Sequence, residues 1–276
     1  MALDVADHLF AAVDVLRVHP TAKRIRALLD GTVVVDSTSA RIVWEPRRIV
    51  PSYAVPLADI LGTLTPAGAV SAGEPRPVTL GAGPPVLDPG TGFSFHTTPG
   101  RTFDIRMGSS AVRGAAFVAD DPDLSGDALL DFDAFDQWLE EDEPLVGHAR
   151  DPFKTIDTRR STRHVVVELA GTVIADSRRS VMLFETHLPT RYYLPRDDVR
   201  MDALAPTDTA TVCAYKGQAR YWSVTIGAET VPDVAWTYEE PHNYATPVKD
   251  MVCFLNERVE ISVDGTAQAR PQTPWS

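Results

Sequence analysis

Two stretches of this chain repeat each other closely enough to fix its architecture. Gly31-Thr32-Val33-Val34-Val35-Asp36-Ser37 returns as Gly171-Thr172-Val173-Ile174-Ala175-Asp176-Ser177, and Trp44-Glu45 is answered at equal spacing by Phe184-Glu185. After one deleted residue, Tyr53, Pro56 and Asp59 align with Tyr192, Pro195 and Asp198. Two copies of one segment predict two copies of one fold. The 276 residues accommodate two domains of about 100 to 150 residues each.

Further alignments extend the repeat. Phe103 to Gly108 fall on Trp222 to Gly227, and Ala116 to Pro122 on Ala235 to Pro241, both at one constant offset. Leu129-Leu130-Asp131-Phe132 is set against Met251-Val252-Cys253-Phe254. From residue 23 onward, short runs rich in Val, Ile, Tyr and Trp are broken by Gly, Pro, Asp and Asn, as in antiparallel β structure. Tyr221, Ser223 and Thr225 would face one way along such a strand, and Trp222, Val224 and Ile226 the other. No alternation of strands with long helices marks a parallel nucleotide-binding sheet.

The expected fold is therefore all-β, two similar antiparallel domains in tandem. Residues 1–22 carry a short amphipathic helix on Val5, Leu9, Ala12, Val13 and Leu16, ending near His19-Pro20. Residues 23–143 form the first repeat, with a Gly- and Pro-rich insertion over 62–92; residues 144–160 are a linker and 161–268 the second repeat. Phe132, Phe135, Trp138 and Leu139 have helical spacing, but the repeat argues for strand, turn, strand.

Composition narrows the function classes. With 44% hydrophobic and 23% charged residues the chain is of globular type. Its 26 Lys and Arg against 38 Asp and Glu leave a net charge of −12, which disfavours nucleic-acid partners. Eleven carboxylates between Asp120 and Glu143, without one Lys or Arg, read as a solvated acidic edge. No apolar run approaches the roughly 20 residues of a membrane span, and no signal pattern opens the chain, so a soluble cytoplasmic protein is expected. Cys213 and Cys253 are expected to be reduced thiols, and association into a homo-oligomer stays open.

The segments Gly171 to Ser177, Arg191-Tyr192-Tyr193-Leu194-Pro195, Cys213 to Trp222 and Ala235-Trp236-Thr237-Tyr238 together resemble the domain of unknown function 427 family. The resemblance covers about residues 165–265 strongly and about 24–143 as a divergent second copy. It implies a β-tent-like arrangement, two antiparallel sheets meeting at an angle, and no established activity. The cysteines that hold zinc in related modules are lacking here, so the arrangement is expected without the metal.

Six of the seven tyrosines lie in the second copy, with Trp222 and Trp236. Such side chains suit either a core or the wall of a pocket where flat or cationic ligands stack. The pocket reading takes Tyr192, Tyr221, Trp236 and Tyr238 as wall, with Glu185, Arg191 and Lys216 giving polar guidance. Lys216-Gly217 is expected in a turn with the lysine pointing outward, and Glu185 as a tuned acid or a partner of Arg191. Cys213 is expected to be a small buried thiol, and the Asp36-Ser37 and Asp176-Ser177 pairs to close turns through side-chain hydrogen bonds.

Two sharper motifs are incomplete. Asp121-Pro122-Asp123-Leu124-Ser125-Gly126 begins like a calcium loop, but Phe132 stands where a bidentate carboxylate is needed. Met107-Gly108-Ser109 followed by Asp121 and Asp123 resembles a nucleotidyltransferase fingerprint, which requires a helix after the Gly-Ser pair. Three readings follow: a small-molecule or modified-residue binding protein, a metal-dependent nucleotidyltransferase-like or hydrolase-like enzyme, and a non-catalytic protein-interaction scaffold. No cofactor is predicted.

Overall fold

The computed structural model describes residues 2, 11–68, 73–79, 83–108 and 110–273. The chain divides into two compact units, Met1–Asp151 and Pro152–Ser276, built mostly of antiparallel strands. No helix among the described residues is long and apolar enough to cross a membrane.

Unit 1 contains β1 (Arg17–Pro20), β2 (Ile25–Leu29), β3 (Thr32–Ser37), β4 (Arg41–Trp44), β5 (Ser52–Pro56), β6 (Thr63–Pro66), β7 (Pro77–Val78), β8 (Val86–Leu87), β9 (Gly100–Met107), β10 (Ser110–Ala119), β11 (Asp127–Leu130), β12 (Gln137–Glu140) and β13 (Glu143–Leu145). Seven of these form one sheet in the order β1-β4-β5-β11-β10-β9-β6, and four another, β13-β12-β2-β3; β7 and β8 pair separately.

Unit 2 contains β14 (Ile156–Arg160), β15 (Val165–Leu169), β16 (Thr172–Ser177), β17 (Val181–Glu185), β18 (Arg191–Leu194), β19 (Leu204–Cys213), β20 (Gly217–Ile226), β21 (Glu229–Tyr238), β22 (Val252–Phe254), β23 (Glu260–Val263) and β24 (Thr266–Ala267). Its sheets run β14-β17-β18-β22-β21-β20-β19 and β16-β15-β23-β24. Strand for strand this is the order found in unit 1, with β7 and β8 as additions.

The echoed residues make the same local structure in both units. Asp30 (φ 48°) with Gly31 (φ 73°), and Ala170 (φ 50°) with Gly171 (φ 73°), turn the β2–β3 and β15–β16 hairpins through left-handed backbone, which favours glycine at the second position. Ser37 Oγ donates to Asp59 at 2.6 Å and accepts from the Ser39 amide; Ser177 Oγ donates to Asp198 at 2.7 Å and accepts from the Arg179 amide. The serines thus close turns as expected. Asp36 and Asp176 do otherwise, pairing with Arg24 and His164.

In each unit the main core draws on both sheets. In unit 2 it holds Val165, Val167, Ile174, Tyr192, Leu194, Val224, Ala235, Phe254, Ile261 and their neighbours. Side chains alternate along a strand, so β18 sends Tyr192 and Leu194 into this core and Arg191 and Tyr193 to the opposite, outer face. A second apolar cluster on that face, capped by a short 3-10 segment over Asn243–Val248, holds Leu183, Tyr193, Trp236, Tyr238 and Cys253.

Several boundaries differ from expectation. Residues 3–10 of the anticipated N-terminal helix lie outside the described residues, and Arg17–Pro20, where it was to end, is an edge strand paired with Arg41–Trp44. Thr63–Pro66, read as the start of an insertion, is β6; it pairs with β9 through Pro66 and Phe103, as β19 pairs with β20 through Pro206 and Trp222. The stretch read as a linker contributes β13 and β14. Phe117 lies opposite Leu129 as Trp236 lies opposite Cys253, which moves the alignment around Leu129 by two residues. The segment over 132–140 is a 3-10 turn at Phe132–Ala134 followed by β12, which is the strand, turn, strand that the repeat implied.

Candidate functional site

The outer face of unit 2's seven-stranded sheet gathers most of the residues singled out in the sequence. Antiparallel register lines up Val181, Tyr193, Cys253, Trp236 and Tyr221 across five strands, and Tyr238 with Ala219 in a neighbouring row. Trp236 Nε1 donates to the Tyr193 hydroxyl at 3.1 Å, and the two rings meet edge to face at 6.2 Å. Tyr238 and Tyr221 flank them at 6.4 Å from Tyr193 and Trp236 respectively. Trp236 and Tyr238 are only 7% and 4% exposed, so the rings are packed together rather than laid open as a wall.

Two charged groups border these rings. At the end of β17, Glu185 receives the Lys216 ammonium in a short contact and the Lys154 ammonium at 3.0 Å. Lys154 also lies 5.6 Å over the Tyr215 ring. On β18, Arg191 donates from Nη1 and Nη2 to the two oxygens of Glu257, both at 2.7 Å, and its guanidinium sits 5.5 Å over Trp236. Thr273 Oγ1 donates to the same carboxylate at 2.6 Å.

Burial and pairing act against each other in both groups. Burial pushes the Glu185 carboxyl up, but the Lys216 and Lys154 charges override it and hold the group below the ordinary carboxylate range. Lys216 is raised because Glu185 outweighs its own burial. Glu257 is lowered, Arg191's hydrogen bonds overcoming desolvation, and Arg191 is raised in return. Burial without an equal counterweight pushes the Tyr193 and Tyr238 hydroxyls well up and the Cys253 thiol to about 12, which leaves Cys253 a neutral thiol.

Of the residues expected at a site, Glu185, Arg191, Lys216, Trp236, Tyr238 and, at its margin, Tyr221 share this face. Tyr192 does not: it is one residue out of phase and lies in the core between the sheets. Glu185 pairs with Lys216 and Lys154, not with Arg191, and it is held ionised rather than tuned as an acid. Lys216 sits in the expected turn but points inward, its side chain 12% exposed. Cys213 is half-buried. Sequence reasoning passed over Tyr193, Lys154 and Glu257; the alternation Arg191, Tyr193 along one strand was the available signal for the first.

The equivalent face of unit 1 is built differently. Ala54, Phe117, Ala119 and Leu129 stand where unit 2 has Tyr193, Trp236, Tyr238 and Cys253. The long β6–β9 connection supplies the missing bulk, stacking His96 on Phe117 at 3.5 Å with Phe93 edge-on to His96 at 5.0 Å. Glu45, the counterpart of Glu185, accepts from His96 Nδ1 at 3.0 Å and from the amides of Thr97 and Thr98.

The nucleotidyltransferase-like pattern is not supported by the fold. Ser109 lies outside the described residues, and strand β10, not a helix, follows it. Asp121 caps a 3-10 turn by accepting from the Asp123 amide at 2.9 Å. Among the described residues no group of three or more His, Cys, Asp or Glu could hold a metal ion.

No curated protein matches this chain. Residues 157–265, within unit 2, match the family model described as a domain of unknown function, DUF427.

Proposed function

We propose that the protein is a binding protein whose unit 2 holds a small molecule or modified residue at the edge of the aromatic cluster, where Lys154, Lys216 and Glu185 meet Tyr215 and Tyr238. The observation that carries this reading is the ratio of charges: two ammonium groups converge on one carboxylate that is 4% exposed at its side chain. A structural ion pair needs one cation. The second, Lys154, is 28% exposed and lies against a ring, so it can turn toward an incoming anion without unfolding the pair beneath it. A ligand with an acidic group beside a flat ring fits both features.

Unit 1, on this reading, is a diverged copy of the same domain whose corresponding face is filled by its own loop. The shared strand order and the paired Ser37–Asp59 and Ser177–Asp198 hydrogen bonds support that descent.

The test is a metabolite pull-down with the full chain, read by mass spectrometry, comparing wild type with Lys154→Met and Tyr215→Leu. Wild type is expected to retain an anionic aromatic compound that both variants lose at least five-fold. Equal retention by all three proteins, or none by wild type, rejects the reading.

A further inference from the structure

Unit 1 has a second feature, independent of unit 2. Nine buried side-chain nitrogen or oxygen atoms among the described residues make no hydrogen bond, and five of them, Arg17 Nε, Arg48 Nε, Thr91 Oγ1, His96 Nε2 and Thr98 Oγ1, belong to residues tied into one patch. Arg17 Nη2 donates to the Arg48 carbonyl at 2.6 Å. Arg48 Nη1 donates to the Thr91 carbonyl at 3.0 Å, and Nη2 to the carbonyls of Gly92, at 2.8 Å, and Phe95. Glu45 binds His96 and the Thr98 amide and lies 3.6 Å from Arg48 Nε.

Four of the five atoms share one chemistry. Both guanidinium Nε atoms can only donate and the two hydroxyls can donate; with Nδ1–H turned to Glu45, His96 Nε2 accepts in the neutral ring and donates only when the ring carries a second proton. The His96 side chain is 9% exposed, and its other nitrogen is fixed on Glu45, so Nε2 faces away from that carboxylate. Burial lowers both Arg17 and Arg48, and nearby carboxylates, Asp151 for Arg17 and Glu45 and Asp131 for Arg48, do not offset it. Glu45 is already engaged by its donors, and burial pushes the Asp131 carboxyl up.

We propose that this patch is a binding site for a small oxyanion, a carboxylate or phosphate group, held by Arg48 and His96 with help from Arg17 and the Thr91 and Thr98 hydroxyls. Such a group offers several acceptor lone pairs to a cluster made mainly of donors, and its charge answers two desolvated guanidiniums. The site belongs to unit 1 alone, since Asp157 and Leu188 occupy the places of Arg17 and Arg48 in unit 2.

Titration calorimetry on the full chain at pH 7 tests it, with inorganic phosphate and acetate as separate probes at matched ionic strength. One saturable site for phosphate, for acetate or for both supports the proposal and identifies the preferred oxyanion; no saturation by either at millimolar concentration overturns it. Thr98→Val, a near-isosteric change, and Arg48→Lys are each expected to weaken binding at least five-fold, and unchanged affinity in both would overturn it. Lys216→Met is expected to leave the binding intact, whereas loss in that variant would move the site to unit 2 and reject the assignment. A crystal structure grown with phosphate that shows only buried water bridging Arg48, His96 and Thr98 would likewise reject it.

Discussion

Arg191 and Glu257 form a two-bonded ion pair on the outer face of unit 2, both nitrogen to oxygen distances being 2.7 Å, with the Glu257 side chain wholly buried. Removing one member takes a two-bonded, desolvated ionic partner from the other, so Glu257→Leu is expected to cost about 3–5 kcal/mol. The double variant Arg191→Met with Glu257→Leu should recover much of that loss, since a packed apolar pair carries no stranded charge. Urea unfolding followed by tryptophan fluorescence measures both. Equal losses in the single and double variants would contradict the role of the pair.

Acid should weaken unit 2 through the same carboxylates. Glu185 and Glu257 are both held below their ordinary value of 4.5, so each binds its proton more readily in the unfolded chain. Their stabilisation is therefore fully present above that value and is lost as pH falls through the lowered folded value. In Lys216→Met only Lys154 opposes the burial of Glu185, which should move the onset of the loss to higher pH. Melting temperatures between pH 7 and pH 3 read this directly, and an onset common to both proteins would count against the charge balance at Glu185.

Tyr193 and Tyr192 are adjacent but should respond differently. Tyr193→Phe removes the acceptor of the Trp236 indole N–H and leaves that donor buried, at a cost of about 1–3 kcal/mol. Tyr192→Phe keeps the ring in the main core and should cost less. Denaturant midpoints of the two variants decide the order, and a reversed order would displace Tyr193 from the site.

Asp121 serves here as a turn cap, accepting from the Asp123 amide at 2.9 Å. Asp121→Ala removes a cap of the Pro122–Leu124 turn and is expected to cost about 0.5–2 kcal/mol, as lost caps generally do. Nucleotide turnover with Mg²⁺ should be absent in wild type and variant alike. Turnover that Asp121→Ala abolishes would restore the enzymatic reading.

The sequence carried the scaffold further than the site because the two depend on different information. Gly31 with Gly171 and Ser37 with Ser177 recur where backbone geometry or a local hydrogen bond demands one residue type, so repetition exposed them. Tyr53 and Tyr192 recur for the same reason: both are core positions, and their echo marked scaffold, not ligand contact. The outer face depends on which residues stand side by side across strands. Tyr193 beside Trp236, or Glu257 beside Arg191, is set by tertiary contact between positions 43 and 66 residues apart, which periodicity along one strand does not encode. Lys216 looked like a solvated turn residue because its partner Glu185 is 31 positions away.

The hydrogen bonds of the repeated serines offer a test of that division between scaffold and site. Ser37 and Ser177 are 1% and 2% exposed, and each links the end of a hairpin strand to an aspartate in the following 3-10 turn. Each serine makes the same two hydrogen bonds, so Ser37→Ala and Ser177→Ala should each destabilise by about 1 kcal/mol, the usual net worth of one hydrogen bond. If the echo is scaffold alone, Ser177→Ala should also leave both ligand retention by unit 2 and oxyanion binding by unit 1 unchanged. Paired unfolding and binding measurements on the two variants check this. A loss of ligand in Ser177→Ala without loss of fold would show that the repeated segment has a part in binding after all.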